Sequence, residues 1–126
     1  MSTPSPWRYF SMEELTCRCG CERMEMDSQF MSRIVAMREA VGFSFPVTSG
    51  YRCPDYNAAI SSTGLDGPHT TGKALDIGVD RQTAYKLLKS AFERGFTGIG
   101  INQKGRSRFI HIDGLEEGLR PTVWSY

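Results

Sequence analysis

Apolar residues recur at helical spacing in two segments of the chain. In residues 27–41 they fall on one side of a helix that Asp27 or Ser28 can cap, and residues 80–94 show the same pattern. A glycine follows each segment, as is common where helices end. We therefore predict two long helices. The residues expected to face the core are Phe30, Met31, Ile34, Val35 and Val41 in the first helix and Ala84, Leu87, Leu88, Ala91 and Phe92 in the second.

Alternation of apolar and polar residues predicts strands elsewhere. In residues 74–79 the larger apolar side chains point to one side, whereas Asp76 points to the other. Residues 98–101 and 108–113 are joined by a polar, glycine-containing turn, which predicts a hairpin. Strands and helices are mixed without a regular βαβ order, so we expect an α+β fold with a mainly antiparallel sheet and helices packed on it. Shorter elements are expected as a strand at 47–49, a brief helix at 57–60 and a helical start at 11–14, where Ser11 and Glu14 can form a capping box.

The size and composition of the chain are those of an ordinary globular domain. It has 126 residues, of which 40% are hydrophobic and 23% charged, and we expect a single domain over 1–126 with an extended lead-in at 1–10. The formal net charge of +1 argues against a nucleic-acid binder, which would carry a clustered basic face. No apolar run reaches the length of a membrane span, and the N-terminus lacks the pattern of a signal peptide. We therefore expect a monomer that is made in the cytoplasm without insertion into a membrane.

Two histidines and one aspartate form a candidate metal site. His69 and His111 are the only histidines in the sequence, and His111 lies on the polar side of its predicted strand. Asp76 occupies the polar side of another strand, where an aspartate between two apolar residues is disfavoured unless something binds it. If the two strands are neighbours, Asp76 and His111 can meet on one face, and His69 can reach them from its loop. Two imidazoles and one carboxylate with an open fourth position are typical of a catalytic zinc site.

Spaced motifs connect these residues with a known family. In chain order they are Ser49-Gly50-Tyr51-Arg52, His69-x-x-Gly72-x-Ala74-x-Asp76 and Ile110-His111-Ile112-Asp113. Over residues 15–126 the chain resembles the zinc D-Ala-D-Ala carboxypeptidase family, which shares its fold with the hedgehog signalling domain and includes phage endolysins that cut peptidoglycan stem peptides. The flanking segments that resemble the short, phage-type branch are Cys17-Arg18-Cys19-Gly20-Cys21 and Arg120-Pro121 with Trp124.

The resemblance implies a role for each matching position. His69, Asp76 and His111 would ligate one catalytic Zn²⁺ ion. Arg52 would hold a carboxylate or carbonyl of the substrate, a task suited to a planar guanidinium group. The zinc ion would lower the pKa of a bound water molecule and polarise the scissile carbonyl. Apart from the resemblance, three aromatic residues are candidates for lining a peptide groove, although aromatic residues in a chain of this size more often belong to the core: Tyr51, Tyr56 and Trp124.

The proton acceptor is the part of the site that departs from the family. Better-known members carry an acidic residue three positions before the last zinc histidine, where this chain has Arg108. Asp113 follows His111 on the same strand face, about 6–7 Å along the strand, and is our substitute for the general base. Alternatively, Asp113 orients His111 or only ends the strand. Glu116 and Glu117 follow closely as further candidates.

Four cysteines have no place in the zinc motif. Cys17, Cys19 and Cys21 alternate, and Cys53 directly follows Arg52. A second, structural zinc site formed by the four is disfavoured, because structural sites use C-x₂-C spacing and because a strand would crowd three thiols on one face. The alternatives are a Cys17–Cys53 or Cys21–Cys53 contact, or buried thiols that pack the N-terminal segment.

Together these residues predict a zinc-dependent peptidase that hydrolyses peptide bonds of bacterial peptidoglycan stem peptides, as an endolysin does. It would act on the cell wall, either after release from the cytoplasm or as a component of a virion. One alternative is a D-Ala-D-Ala carboxypeptidase or dipeptidase that acts on free wall precursors. Another is a catalytically inactive, hedgehog-like zinc-binding module, which would explain Arg108 at the position of the base.

Overall fold

The chain folds around a five-stranded sheet with helices packed against its apolar face. The structure, a computed structural model, describes residues 3–126. Within that range no helix is both long enough and apolar enough to cross a membrane. The helices are α1 (Met12–Leu15), α2 (Ser28–Val41), α3 (Pro54–Ile60) and α4 (Arg81–Glu93), and two 3₁₀ turns (Gly64–Asp66 and Pro68–Thr71) follow α3. The strands are β1 (Val47–Ser49), β2 (Ala74–Ile77), β3 (Gly98–Asn102), β4 (Phe109–Asp113) and β5 (Thr122–Ser125).

The sheet has the order β1-β2-β4-β3-β5. Three of the neighbouring pairs are antiparallel, and β3 and β5 pair in parallel. This confirms the predicted α+β class with a mainly antiparallel sheet. β5 is not among the predicted strands, because its residues are only partly covered and its partner β3 lies far earlier in the chain. The helix predicted at 57–60 begins earlier, at Pro54, since proline suits the first turn of a helix.

The two faces of the sheet differ in character. Alternation along β2 and β4 places Asp76 and His111 on the polar face and pairs them directly across the two strands. On the other face, apolar side chains of the three central strands join those of α2 and α4 in one core cluster. The core residues of the sheet that are at most 1% exposed are Leu75, Ile77, Ile99, Ile110 and Ile112.

Two glycines of β3 make room on the polar face. Gly98 pairs with Asp113 and Gly100 pairs with His111 in the antiparallel register. A Cβ atom at Gly98 would overlap both carboxylate oxygens of Asp113, and one at Gly100 would overlap the ring of Trp124. Any larger residue at these positions would therefore occupy the space that side chains of β4 and β5 use.

The two long helices follow the prediction in most respects. Asp27 caps α2 with its side chain, and Gly42 ends the helix in the left-handed conformation that glycine tolerates best. Gly95 has the same conformation after α4. The predicted core position of Phe92 is wrong, because the buried stripe of α4 ends at Ala91 and leaves Phe92 53% exposed.

The N-terminal segment folds back onto this core. Residues 1 and 2 of the predicted lead-in lie outside the described residues, and an isolated bridge brings the remainder back to Ser11. Phe10 is buried in the core cluster. Ser11 and Glu14 form the predicted capping box at the start of α1. Glu14 also accepts a hydrogen bond from the backbone N–H of Val47, which ties α1 to β1.

Candidate metal centre

Three side chains from different elements converge on the polar face of the sheet. Asp76 lies on β2, His111 lies opposite it on β4, and His69 lies in the 3₁₀ turn before β2. One candidate ligand atom from each residue lies within 4.8 Å of the other two. All three residues are buried. The structure thus brings together the three residues that the sequence predicts as zinc ligands.

Each imidazole has one nitrogen directed at Asp76 and the other at an outer acceptor. His69 Nδ1 lies 2.8 Å from the carbonyl oxygen of Gly50, and His69 Nε2 lies 3.2 Å from Asp76 Oδ1. His111 Nε2 lies 2.8 Å from Asp113 Oδ2, and His111 Nδ1 lies 2.9 Å from Asp76 Oδ1. Because a carbonyl or carboxylate can only accept, the outer nitrogen of each ring donates a hydrogen bond to its acceptor. His69 Nε2 and His111 Nδ1 face Asp76, and these are the nitrogens that would give up a proton and offer a lone pair when a cation binds.

Buried carboxylates make this point of the molecule favourable for positive charge. Burial alone would lower the pKa of His111, but its hydrogen bonds with Asp113 and Asp76 outweigh burial and raise the pKa. Burial would raise the pKa of Asp76, but hydrogen bonds from His111 and His69 hold that pKa well below its usual value. The carboxylate of Asp76 is therefore ionised and would stabilise a cation beside both rings.

The donor set fits a zinc ion. Catalytic zinc sites combine two histidine nitrogens and one carboxylate oxygen with an open position for water or substrate. Ligand atoms of a tetrahedral ion with bonds of about 2.0–2.1 Å lie roughly 3.3 Å from one another. Asp76 Oδ1 lies 2.9 Å from His111 Nδ1 and 3.2 Å from His69 Nε2, and both distances are within about 0.5 Å of this spacing.

Asp113, the predicted base, lies behind His111 and is fully buried. Its Oδ2 faces His111 Nε2 and accepts a hydrogen bond from Arg120 Nη2 at 2.8 Å, and its Oδ1 accepts one from Arg120 Nε at 3.0 Å. Burial would raise the pKa of Asp113, but the hydrogen bonds with His111 and Arg120 lower it to about 2. This environment favours the alternative that Asp113 orients His111.

Arg52 lies on the other side of Asp76. Its Nη2 is 3.7 Å from Asp76 Oδ2, and 18% of the side chain is exposed. Two hydrogen bonds fix its direction, one from Nε to Ser49 Oγ at 3.1 Å and one from Nη1 to Asn57 Oδ1 at 3.2 Å. The backbone N–H of Arg52 also donates to the carbonyl of His69. The guanidinium group is therefore held beside the candidate ligands with one edge open.

Two cavities adjoin at the candidate ligands. The first, of about 650 Å³, contains both histidines and the ring of Trp124. The second, of about 680 Å³, lies on the side of Asp76 that faces β1. Arg52, Asp76 and Phe109 line both cavities. An extended peptide could therefore lie across the site and occupy space on both sides of it.

The structure separates the three aromatic residues predicted to line a groove. Tyr56 is partly buried against the core and lines neither of the two cavities. Trp124 lines the first cavity, and its ring centroid lies 5.0 Å from that of His111. Tyr51 instead belongs to the hydrophobic core and is 3% exposed, so it lines neither of the two cavities. Tyr126, which sequence reasoning missed, lines the first cavity and packs against the ring of Phe109.

The residue at the family's base position and the remaining acidic candidates lie at different places around the cavities. Arg108, at the family's base position, turns its side chain to the carbonyl of Gly105 and lines the second cavity. Glu116 and Glu117 are both exposed, but only Glu117 lines the first cavity, and Glu116 lines neither of the two. Asp66, in a 3₁₀ turn, also lines the first cavity and was not among the predicted candidates.

Other residues of the site were also beyond sequence reasoning. Arg120 reaches Asp113 from an irregular loop; the sequence marks it only as part of a flanking segment and gives it no role. Asn57 holds Arg52 and is 1% exposed; its only signal in the sequence is its position five residues after the motif arginine. The backbone carbonyl of Gly50 carries no side-chain signal at all.

A buried site of two histidines and one aspartate, open to peptide-sized cavities on a mixed α+β fold, is typical of zinc metallopeptidases. A family model described as Peptidase M15 matches residues 8–113. The chain therefore belongs to the Peptidase M15 family, the family of zinc D-Ala-D-Ala carboxypeptidases, as its motifs predicted. At the coarse level of the family, this membership supports a metallopeptidase that acts on peptidoglycan peptides. A search of curated proteins found none that matches the chain.

Proposed function

We propose that the protein is an endopeptidase that hydrolyses peptide bonds within peptidoglycan stem peptides. The observation that carries this proposal is the pair of cavities that adjoin at Arg52, Asp76 and Phe109. A peptide that lies in both cavities has residues bound on each side of the scissile bond. A carboxypeptidase needs space for only one terminal residue beyond that bond, so the second cavity favours cleavage inside the peptide.

His69, Asp76 and His111 would hold the zinc ion, which supplies an activated water molecule and polarises the scissile carbonyl. The outer partners of the two histidines prepare them for this task. The Gly50 carbonyl keeps His69 Nε2, and Asp113 keeps His111 Nδ1, directed at Asp76. Both rings would thus already have the orientation that binding of an ion requires.

Arg52 would bind the substrate beside the scissile bond. Its guanidinium group faces both cavities and is oriented by Ser49 and Asn57. A planar guanidinium can donate two parallel hydrogen bonds to a carboxylate, or it can donate a hydrogen bond to a carbonyl oxygen of the peptide. Because its position is fixed on the protein side, little conformational entropy is lost when substrate binds.

Glu117 is our choice for the proton acceptor. The oxygens of Asp113 are already engaged with Arg120 and His111, whereas Glu117 lines the cavity that contains the two histidines. Its carboxylate would take a proton from the attacking water and pass it to the leaving amine nitrogen. Asp66, another acidic residue that lines the same cavity, is the comparison residue for this assignment.

The test is mass spectrometry of muropeptides after purified peptidoglycan is digested with the zinc-loaded protein, with and without a chelator. We expect fragments from internal cleavage that disappear with chelator and with Asp76→Asn. Glu117→Gln should lower kcat by about 10²–10⁴-fold with unchanged zinc content, and Asp66→Asn should have a smaller effect. Lys89→Ala, on the exposed surface of α4, is the control.

Other products would point to the alternative functions. Loss of only a terminal D-alanine would identify a carboxypeptidase, in which Arg52 binds the terminal carboxylate instead of an internal carbonyl. A zinc-loaded, folded protein that produces no fragment from either cross-linked wall or free pentapeptide would identify a binding module. In both cases the endopeptidase proposal fails.

A further inference from the structure

Four cysteines gather at a second point of the molecule. Cys17, Cys19 and Cys21 lie in the loop after α1, and Cys53 immediately precedes α3. Their sulfur atoms all lie within 4.8 Å of one another, and all four cysteines are free. Cys17 and Cys53 are buried, whereas Cys19 and Cys21 are exposed, so the cluster has a covered side and an open side.

The first three cysteines lie on a turn and not on a strand, so the crowding of three thiols on one strand face does not apply. The backbone N–H of Cys17 donates to the carbonyl of Arg23 at 2.9 Å and closes the loop. Gly20 has φ of +91°, in the left-handed region that favours glycine. The expected crowding of three thiols on one strand face therefore does not arise, and a C-x-C-x-C segment can surround a single point.

The spacing of the sulfur atoms is that of ligands around one ion. Cys17 Sγ lies 3.5 Å from Cys19 Sγ, and Cys19 Sγ lies 3.7 Å from Cys53 Sγ. In a tetrahedral zinc site with Zn–S bonds of about 2.3 Å, the sulfur atoms lie roughly 3.8 Å apart. A disulfide would require about 2.05 Å. The backbone N–H of Cys53 also donates to Cys17 Sγ at 3.3 Å, a contact that stabilises a thiolate.

We propose that Cys17, Cys19, Cys21 and Cys53 bind a structural zinc ion, separate from the one at the histidine site. Four thiolates in tetrahedral spacing suit a zinc ion, and binding releases the thiol protons to solvent. A closed set of four protein ligands leaves no position for substrate, so the role is structural.

This second ion would support the histidine site from outside. The cysteine cluster joins the loop after α1 to the segment that contains Gly50 and Arg52, since Cys53 follows Arg52 directly. That segment gives the Gly50 carbonyl to His69. It is also anchored by the backbone N–H of Tyr51, which donates to the carbonyl of Leu15 at 3.0 Å. Loss of the ion should loosen this anchor and lower the thermal midpoint.

The test is elemental analysis of the full chain purified under reducing conditions. We expect two zinc ions per chain in the wild type, one in Asp76→Asn and one in the Cys19→Ser/Cys21→Ser double variant. Cobalt loaded into Asp76→Asn should give thiolate-to-cobalt charge-transfer absorption, which the double variant should lack. The two substituted cysteines are exposed, so the double variant should still fold.

The decisive sample is Asp76→Asn, because it keeps all four cysteines. If it contains no zinc and its four thiols react freely with a thiol reagent, the proposal is wrong. Disulfides found in the intact mass of the freshly purified chain would overturn it as well. The result is independent of the peptidase assignment, because an inactive protein that keeps thiolate-bound metal in Asp76→Asn still has this site.

Discussion

Arg120 binds both oxygens of the Asp113 carboxylate, with Nε 3.0 Å from Oδ1 and Nη2 2.8 Å from Oδ2. The same carboxylate faces His111 Nε2 at 2.8 Å and accepts a hydrogen bond from the backbone N–H of Leu115 at 3.3 Å. An ionised carboxylate has about four lone-pair positions, and these partners use all of them. Asp113 is thus a buried link that transmits the fixed position of Arg120 to the ring of His111.

Replacing Asp113 by asparagine should therefore weaken zinc binding more than it slows the reaction. Outer partners of ligating histidines typically contribute 10–100-fold to metal affinity, and we expect a loss of about that size at the histidine site. At saturating zinc, kcat should remain within about tenfold of wild type, because no proton acceptor is removed. Competition with a chromophoric chelator measures the affinity, and Glu116→Gln is the matched exposed control. A large fall in kcat with unchanged zinc affinity would instead identify Asp113 as the base.

Gly98 offers a second way to disturb the same link without touching a polar group. A Cβ atom there would overlap both carboxylate oxygens of Asp113. Gly98→Ala should therefore lower the free energy of unfolding by about 1–3 kcal/mol and weaken zinc binding as well. Gly114→Ala is the control, since its Cβ would approach the side chains of Arg33 and Phe30 no closer than 3.3 Å. Denaturant unfolding measures the free energy of unfolding of the two variants, and chelator competition measures their zinc affinity. Equal losses in the two variants would contradict this explanation.

The central pair of the candidate site follows from sequence alone because two strands carry it. Alternation puts Asp76 and the apolar residues beside it on opposite faces, and the same rule places His111. With both strands in one sheet, a shared face is enough to bring the two residues together. The core positions on β2 and β4 follow from the same alternation.

The rest of the site depends on contacts that no local pattern encodes. Arg120 reaches Asp113 from the loop that precedes β5. The position of this loop depends on the parallel pairing of β5 with β3, which no local sequence pattern reveals. Tyr51 is an aromatic residue of the kind that can line a groove. Its backbone N–H donates to the carbonyl of Leu15, and its side chain belongs to the core. The cysteine loop depends on one left-handed glycine, Gly20, which a strand-based interpretation of C-x-C-x-C does not include.

Substitution of Arg52 should separate charge from geometry in substrate binding. A hydrogen bond to a charged group typically contributes about 1.5–3 kcal/mol, so Arg52→Ala should lower kcat/KM by roughly 10–100-fold, mainly through KM. Arg52→Lys keeps the charge but lacks the planar guanidinium group that Ser49 and Asn57 orient. It should therefore recover only part of the lost kcat/KM. Steady-state kinetics on a soluble stem peptide provide the measurement. Full recovery with lysine would show that only the charge matters.

Zinc should stabilise the folded chain through the histidine site by an amount that depends on its concentration. In the Cys19→Ser/Cys21→Ser variant, where the cysteine cluster is incomplete, free zinc at 100 times its Kd should add about 2.7 kcal/mol to the free energy of unfolding. The fold itself should survive chelation, because the core cluster on the opposite face of the sheet contains no candidate ligand of the histidine site. Adding Asp76→Asn to that variant should abolish the zinc-dependent increase. Thermal unfolding at several zinc concentrations measures the effect, and a midpoint that does not change with zinc would mean that His69, Asp76 and His111 do not form a metal site.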